Sequence, residues 1–117
     1  MLNKIKLFDP SIDSSENKII SKVLKSKLWA SGSGTGYVSK FETKMNQYLG
    51  SDECIAVNSG TAALNLALSI AEIKNKEVIL PSLSFVSTAH SIILNGGKPI
   101  FVDVDPHTLC IDPEKII

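Results

Sequence analysis

From residue 54 onward the chain alternates short, continuous apolar runs with segments of helical length, and this alternation constrains the fold more than any other feature. Cys54–Val57, Val78–Leu80 and Pro99–Val104 read as buried strands, while Ala62–Ile73 and Val86–Leu94 read as the helices between them. A strand with no polar side needs cover on both faces. Strand–helix–strand succession supplies it through crossovers, so the expected class is α/β, with a mostly parallel sheet and flanking helices. The punctuation agrees: Pro81 closes the second strand, Gly96-Gly97 the second of these helices, and Asp105-Pro106 the third strand.

The preceding residues are organised differently. Asp13 with Glu16 three positions on is a capping-box pattern, with Asp in place of Ser or Thr. It should open a helix whose buried face is Ile19, Ile20, Val23 and Leu24. Trp29–Gly36 is too rich in glycine for regular structure. A second amphipathic helix follows, with Val38, Phe41, Met45, Tyr48 and Leu49 on one side and Gly50 as its stop. The expected organisation is therefore residues 1–50 as two helices and a glycine-rich loop, and 51–117 as the start of an α/β domain. Asp112-Pro113-Glu114 has the form of a helix start, yet only three residues follow it. One turn cannot nucleate a helix, so the sequence reads as cut. Such a chain on its own should leave apolar surface uncovered.

Composition removes several function classes. Twelve acidic side chains balance twelve basic ones, so no field draws the chain to nucleic acid or an anionic membrane. All the basic residues are lysines, which leaves an anion to be held by backbone, hydroxyls or lysine, without a bidentate arginine clamp. No apolar run approaches the roughly 18 residues of a membrane span, and the first residues lack a signal-peptide pattern. Cys54 and Cys110 lie in apolar runs and read as buried thiols of a reducing, cytoplasmic protein.

The chemistry points to one end of the alternating region. In Val57–Leu64 a buried strand runs through Ser59-Gly60-Thr61 into an alanine-rich helix. Free N–H groups at a helix start attract an anion, Gly60 lets the backbone come close, and the Thr61 hydroxyl can donate a further bond. The same residues also serve a self-capped helix, in which Ser59 or Thr61 satisfies its own backbone. No Gly-Lys-Ser/Thr is present, which excludes a P-loop, and Gly32, Gly34 and Gly36 have the wrong spacing for a dinucleotide fingerprint. Ser82–Thr88 follows the next strand, on the carboxyl edge where open α/β sheets bind ligands. Phe85 there could stack on a flat ring or pack as an ordinary core residue. Asp103, Asp105 and His107 alternate like metal ligands, but Pro106 breaks the strand and Asp105 before it starts a turn, so no metal site is assigned. His90 sits within a helix pattern and reads as a surface or core-edge residue.

Five motifs occur in register: Trp29…Gly32…Gly36-Tyr37-Val38…Phe41-Glu42, Ser59–Leu64, Pro81–Thr88, Phe101–Pro106 and Ile111-Asp112-Pro113. Together they resemble the DegT/StrS-type sugar aminotransferases (the DegT/DnrJ/EryC/StrS family), over almost the whole chain. The resemblance implies the first part of the large domain of PLP fold type I, the aspartate-aminotransferase-like fold. It implies pyridoxal 5'-phosphate (PLP) as cofactor, with its phosphate on Gly60, Thr61 and Ala62 and its ring against Phe85. It implies an amino-acid donor, a nucleotide-linked keto-sugar acceptor, and a homodimer at full length. The family's pyridinium aspartate and Schiff-base lysine would lie beyond Ile117, so no catalytic residue is assigned and the chain alone is expected to be inactive. A PLP-dependent sugar dehydratase on the same scaffold, or a non-catalytic phosphate-binding or regulatory fragment, are the alternatives.

Overall fold

The computed structural model describes residues 4–29 and 36–116. Most of the Trp29–Gly36 loop of the sequence reading lies outside the described residues. The chain divides into two compact units, Met1–Ala56 and Val57–Ile117.

The first unit is helical. Helix α1, Ser14–Ser26, starts with the expected capping box. The Ser15 N–H donates to Asp13 Oδ1 at 2.6 Å, and the Asp13 N–H donates to Glu16 Oε2 at 2.7 Å. These bonds satisfy donors that the helix itself cannot. Helix α2, Tyr37–Leu49, stops at Gly50, which takes the left-handed conformation (φ 66°) that glycine adopts without a Cβ penalty. The apolar stripes behave differently from expectation. Ile19, Ile20 and Leu24 are exposed, as are Phe41, Tyr48 and Leu49, and only Val23, Val38 and Met45 are half-buried. Amphipathic spacing specifies which side chains share a face, and burial additionally requires a surface laid against that face.

The second unit holds the α/β core. Helix α3, Gly60–Ile70, leads to strand β1, Glu77–Pro81; helix α4, Ser87–Leu94, then crosses to strand β2, Lys98–Val102. The two strands pair in parallel, with Val78 opposite Pro99, Ile79 opposite Ile100 and Leu80 opposite Phe101. Ile73, Leu80 and Ile92 form the buried cluster, joined by Leu68, Val78 and Ala89. Gly97 is required by close approach: a Cβ there would stand 2.9 Å from Ile73 Cδ1 and 3.0 Å from Ile92 Cγ2. Beyond β2 the chain folds back, with an antiparallel bridge from Val104 to Ile111 and a 3₁₀ turn at Pro113–Lys115.

The α/β class with a parallel sheet stands, but one of the three expected strands does not form. Cys54–Val57 has no strand partner among the described residues. A strand exists only through its ladder, and here the Ala56 N–H donates instead to Glu42 Oε1 at 2.9 Å. Ile55 and Val57 are exposed accordingly. The third expected strand ends at Val102 instead of Val104, where Asp103 turns the chain: its Oδ1 accepts from the Val104 N–H at 2.9 Å.

Candidate functional site

Chain direction fixes which ends of the elements meet. Helix α4 leaves the carboxyl end of β1 and enters the amino end of β2, so its first turn stands at the carboxyl edge of the sheet. The connection from α3 to β1 lies at the opposite edge: the Asn75 N–H donates to the Gly96 carbonyl, and the Lys98 N–H to the Lys76 carbonyl, each at 2.8 Å. Helix α3 therefore also directs its first turn toward the carboxyl edge. The sequence-predicted residues of both signals, Gly60-Thr61-Ala62 and Phe85, belong to connections at that edge.

The start of α3 is capped from within and still leaves donors free. Ser59 Oγ accepts from the Ala62 N–H at 3.2 Å, and the Ser59 carbonyl accepts from the Ala63 N–H at 3.1 Å. The N–H groups of Gly60 and Thr61 have no acceptor among the described residues. Ser59 is thus the cap, as the self-capping alternative has it, and the cap leaves the first two N–H groups of the helix uncommitted. No heavy atom beyond its neighbours stands within 4 Å of where a Cβ on Gly60 would project, so the approach is open. The Thr61 side chain is exposed at this helix start.

Phe85 lies in the turn between β1 and α4 and is 77% exposed in this chain, outside its buried cluster. Hydroxyls and backbone hold its turn. Ser84 Oγ and Thr88 Oγ1 share a hydrogen bond of 2.8 Å across it, and the Thr88 N–H donates to the Phe85 carbonyl at 3.0 Å. The Ser82 N–H donates to the Val102 carbonyl at 2.8 Å, and Ser82 Oγ stands 3.5 Å from Asp103 Oδ1, linking this turn to the end of β2. The sequence reading assigned no role to Ser84 and Thr88; their i,i+4 spacing around an aromatic was the available signal.

Asp105 is a turn residue. The Thr108 and His107 N–H groups donate to its Oδ1 at 2.8 and 2.7 Å, and these bonds, that from Thr108 foremost, hold its carboxyl below the ordinary aspartate range. Among the described residues no group of three or more His, Cys, Asp or Glu could hold a metal ion, and no helix is long and apolar enough to cross a membrane. Cys110 is exposed and Cys54 half-buried, so neither is the fully buried thiol expected from its apolar surroundings. A groove of about 610 Å³ in the first unit, lined by residues such as Ile19, Tyr37, Lys40 and Phe41, contains none of the predicted site residues.

Residues 10–117 match the model of the DegT/DnrJ/EryC1/StrS aminotransferase family. The chain belongs to that family. It is 38% identical over 98 residues to the 3-oxo-glucose-6-phosphate:glutamate aminotransferase of Bacillus subtilis, covering 83% of this chain and 22% of that protein. It is 31% identical over 113 residues to the GDP-perosamine synthase of Vibrio cholerae, covering 96% of this chain and 30% of that one. Among solved structures, E. coli GDP-4-keto-6-deoxy-D-mannose-3-dehydratase with bound hydrated PLP superposes with a TM-score of 0.78 and 31% identity, over 92% of this chain and 29% of that chain. The chain thus spans about a quarter of the length of the curated relatives it matches.

Proposed function

We propose that the chain is the amino-terminal portion of a PLP-dependent aminotransferase that acts on nucleotide-linked keto-sugars, in amino-sugar or surface-polysaccharide biosynthesis. Residues 1–50 would precede the cofactor-binding large domain, and residues 51–117 would begin it. The observation that carries the reading is the first turn of α3, with two uncommitted N–H groups beside an exposed threonine at the carboxyl edge of a parallel sheet. The relatives' names support the reaction class.

The residues fit the cofactor. The Gly60 and Thr61 N–H groups and the Thr61 hydroxyl are donors suited to a phosphate, in a chain with no arginine to offer. Ala62 adds no bulk beside them. Phe85 presents an exposed ring that can lie against a pyridine and keep water from one of its faces. When bound, PLP supplies the electron sink for amino transfer. The chain's own part is to hold the phosphate, orient the ring and leave its other face open to an amino-acid donor and a sugar acceptor. The family's covalent lysine corresponds to none of the twelve lysines here, so these residues alone would bind without transferring. A cytoplasmic homodimer is the expected setting.

A dehydratase on the same scaffold is the second reading, favoured by the 31% identity to the dehydratase of known structure. The two readings share the phosphate and ring sites and part at the lysine position.

The test is PLP titration by visible absorbance in the full-length polypeptide. Thr61→Val removes the hydroxyl while keeping the shape. A charge-assisted bond of about 1.5–3 kcal/mol is lost, so affinity should fall about tenfold to a hundredfold. Phe85→Ala should also weaken retention, by removing the ring's support. Parent-like affinity in both variants would overturn the site assignment.

A further inference from the structure

The phosphate donors sit on α3 and the aromatic on the turn before α4, so the distance between them depends on how these helices are aligned along their axes. The apolar contacts from these helices, made by Leu68, Ala89 and Ile92, are non-directional and tolerate small axial shifts. One polar contact adds a directional constraint. Asn95, the cap residue of α4, is half-buried; its Nδ2 donates to Asn65 Oδ1 at 2.7 Å and to the Ser91 carbonyl at 2.8 Å, and stands 3.3 Å from the Asn65 carbonyl. Two of these acceptors are main-chain oxygens, so the amide must turn its nitrogen toward them. Among the described residues this is the only side-chain hydrogen bonding between the two helices. Asn65 lies mid-way along α3, and Thr61 stands about 6 Å further toward the carboxyl edge at the helical rise.

We infer that Asn95, acting through Asn65, is a positioning residue that holds α3 in one axial register against α4, so that the Gly60–Thr61 donors and Phe85 stand at the spacing of one phosphate-bearing pyridine. The inference rests on the PLP reading given above. PLP joins its phosphate and ring covalently, so it gains from both subsites only when their spacing matches. Either half alone is indifferent to that spacing. Loss of the bracket should therefore weaken PLP selectively.

The experiment uses the full-length polypeptide and three probes: PLP, inorganic phosphate and pyridoxal. Asn95→Ala should weaken PLP about threefold to tenfold, the loss expected for a hydrogen bond of ordinary strength. The visible circular dichroism of bound PLP should change with it, while phosphate and pyridoxal affinities stay at parent values. Asn65→Ala, on an exposed position, should reproduce the effect if Asn95→Ala fails to fold. Asn65→Asp keeps an oxygen acceptor and should retain parent PLP affinity. Equal weakening of all three probes would make Asn95 a structural residue only and overturn the inference, as would parent-like PLP binding in both alanine variants. Thr61→Val separates the two levels. It should weaken PLP and phosphate together, and if it weakens neither, the phosphate site itself fails and the bracket inference falls with it.

Discussion

The two units are stabilised by different means. In Met1–Ala56 no described residue is buried, yet α1 carries a complete capping box and α2 a glycine stop. In Val57–Ile117, α4 starts at Val86 with no side-chain cap, but Ile92 on it is 2% exposed and sits in the core. The first unit thus has a fully capped helix without a buried residue, whereas the second has a buried residue on a helix without a side-chain cap. A cap contributes about 1 kcal/mol, whereas a buried aliphatic side chain contributes several, so the second arrangement sustains a sheet and the first sustains only helices.

The largest expected effect tests that contrast directly. Ile92→Ala should destabilise the second unit by about 3 kcal/mol, through lost burial and the cavity left behind. Leu24→Ala in α1, whose side chain is 59% exposed, should change stability by no more than about 0.5 kcal/mol. Urea melts of both variants of the full-length polypeptide, followed by far-ultraviolet circular dichroism, give the comparison. Equal losses would break it, by showing that the α1 stripe is buried against something.

A smaller effect concerns the cap. The Ser15 N–H, which donates to Asp13 Oδ1, holds the Asp13 carboxyl below its ordinary 3.8. A lowered folded-state value means that the unfolded chain takes up the proton first as pH falls. The contribution of ionised Asp13 is thus complete above 3.8 and disappears as pH drops through the lower folded value. Amide protection in the first turn of α1, taken relative to the intrinsic exchange rate at each pH, should fall over that acid range, and Asp13→Asn should flatten the dependence while keeping a capping oxygen. An unchanged pH profile in Asp13→Asn would remove the carboxylate from the account.

The smallest effect separates core from surface within the second unit. Lys98 Nζ and Glu77 Oε1 pair at 2.7 Å across the start of the sheet, with both side chains more than half exposed. Exposed pairs of this kind contribute about 0–1 kcal/mol and are screened by salt. Glu77→Gln should shift the urea midpoint only slightly, and less at high salt. A shift comparable to that of Ile92→Ala would mean that this ion pair, and not the aliphatic cluster, organises β1 and β2.

What was legible in the sequence follows the range of the interactions concerned. The Asp13–Glu16 cap, the Gly50 stop and the helix start at Ser59-Gly60-Thr61 are settled by bonds within a few residues, and each forms as read. The β1–α4–β2 crossover needs one neighbour at a short separation, and it too follows from the pattern. Spacing leaves Phe85 open, because an aromatic after a strand can face the core or the ligand edge; in this chain its ring is exposed.

By itself the sequence determined the family, the Asp13 cap, the Gly50 stop and the parallel α/β class, because these depend on residue types at fixed short offsets. Tertiary structure alone decided the rest. Cys54–Val57 has the composition of a strand but no ladder partner among the described residues, and its Ala56 N–H turns to Glu42 instead. The stripe of Ile19, Ile20 and Leu24 has the period of a buried face and remains exposed. The register of α3 against α4 depends on Asn65 meeting Asn95, thirty residues away in the chain. Pairing and burial are properties of two surfaces, and a local pattern describes only one of them.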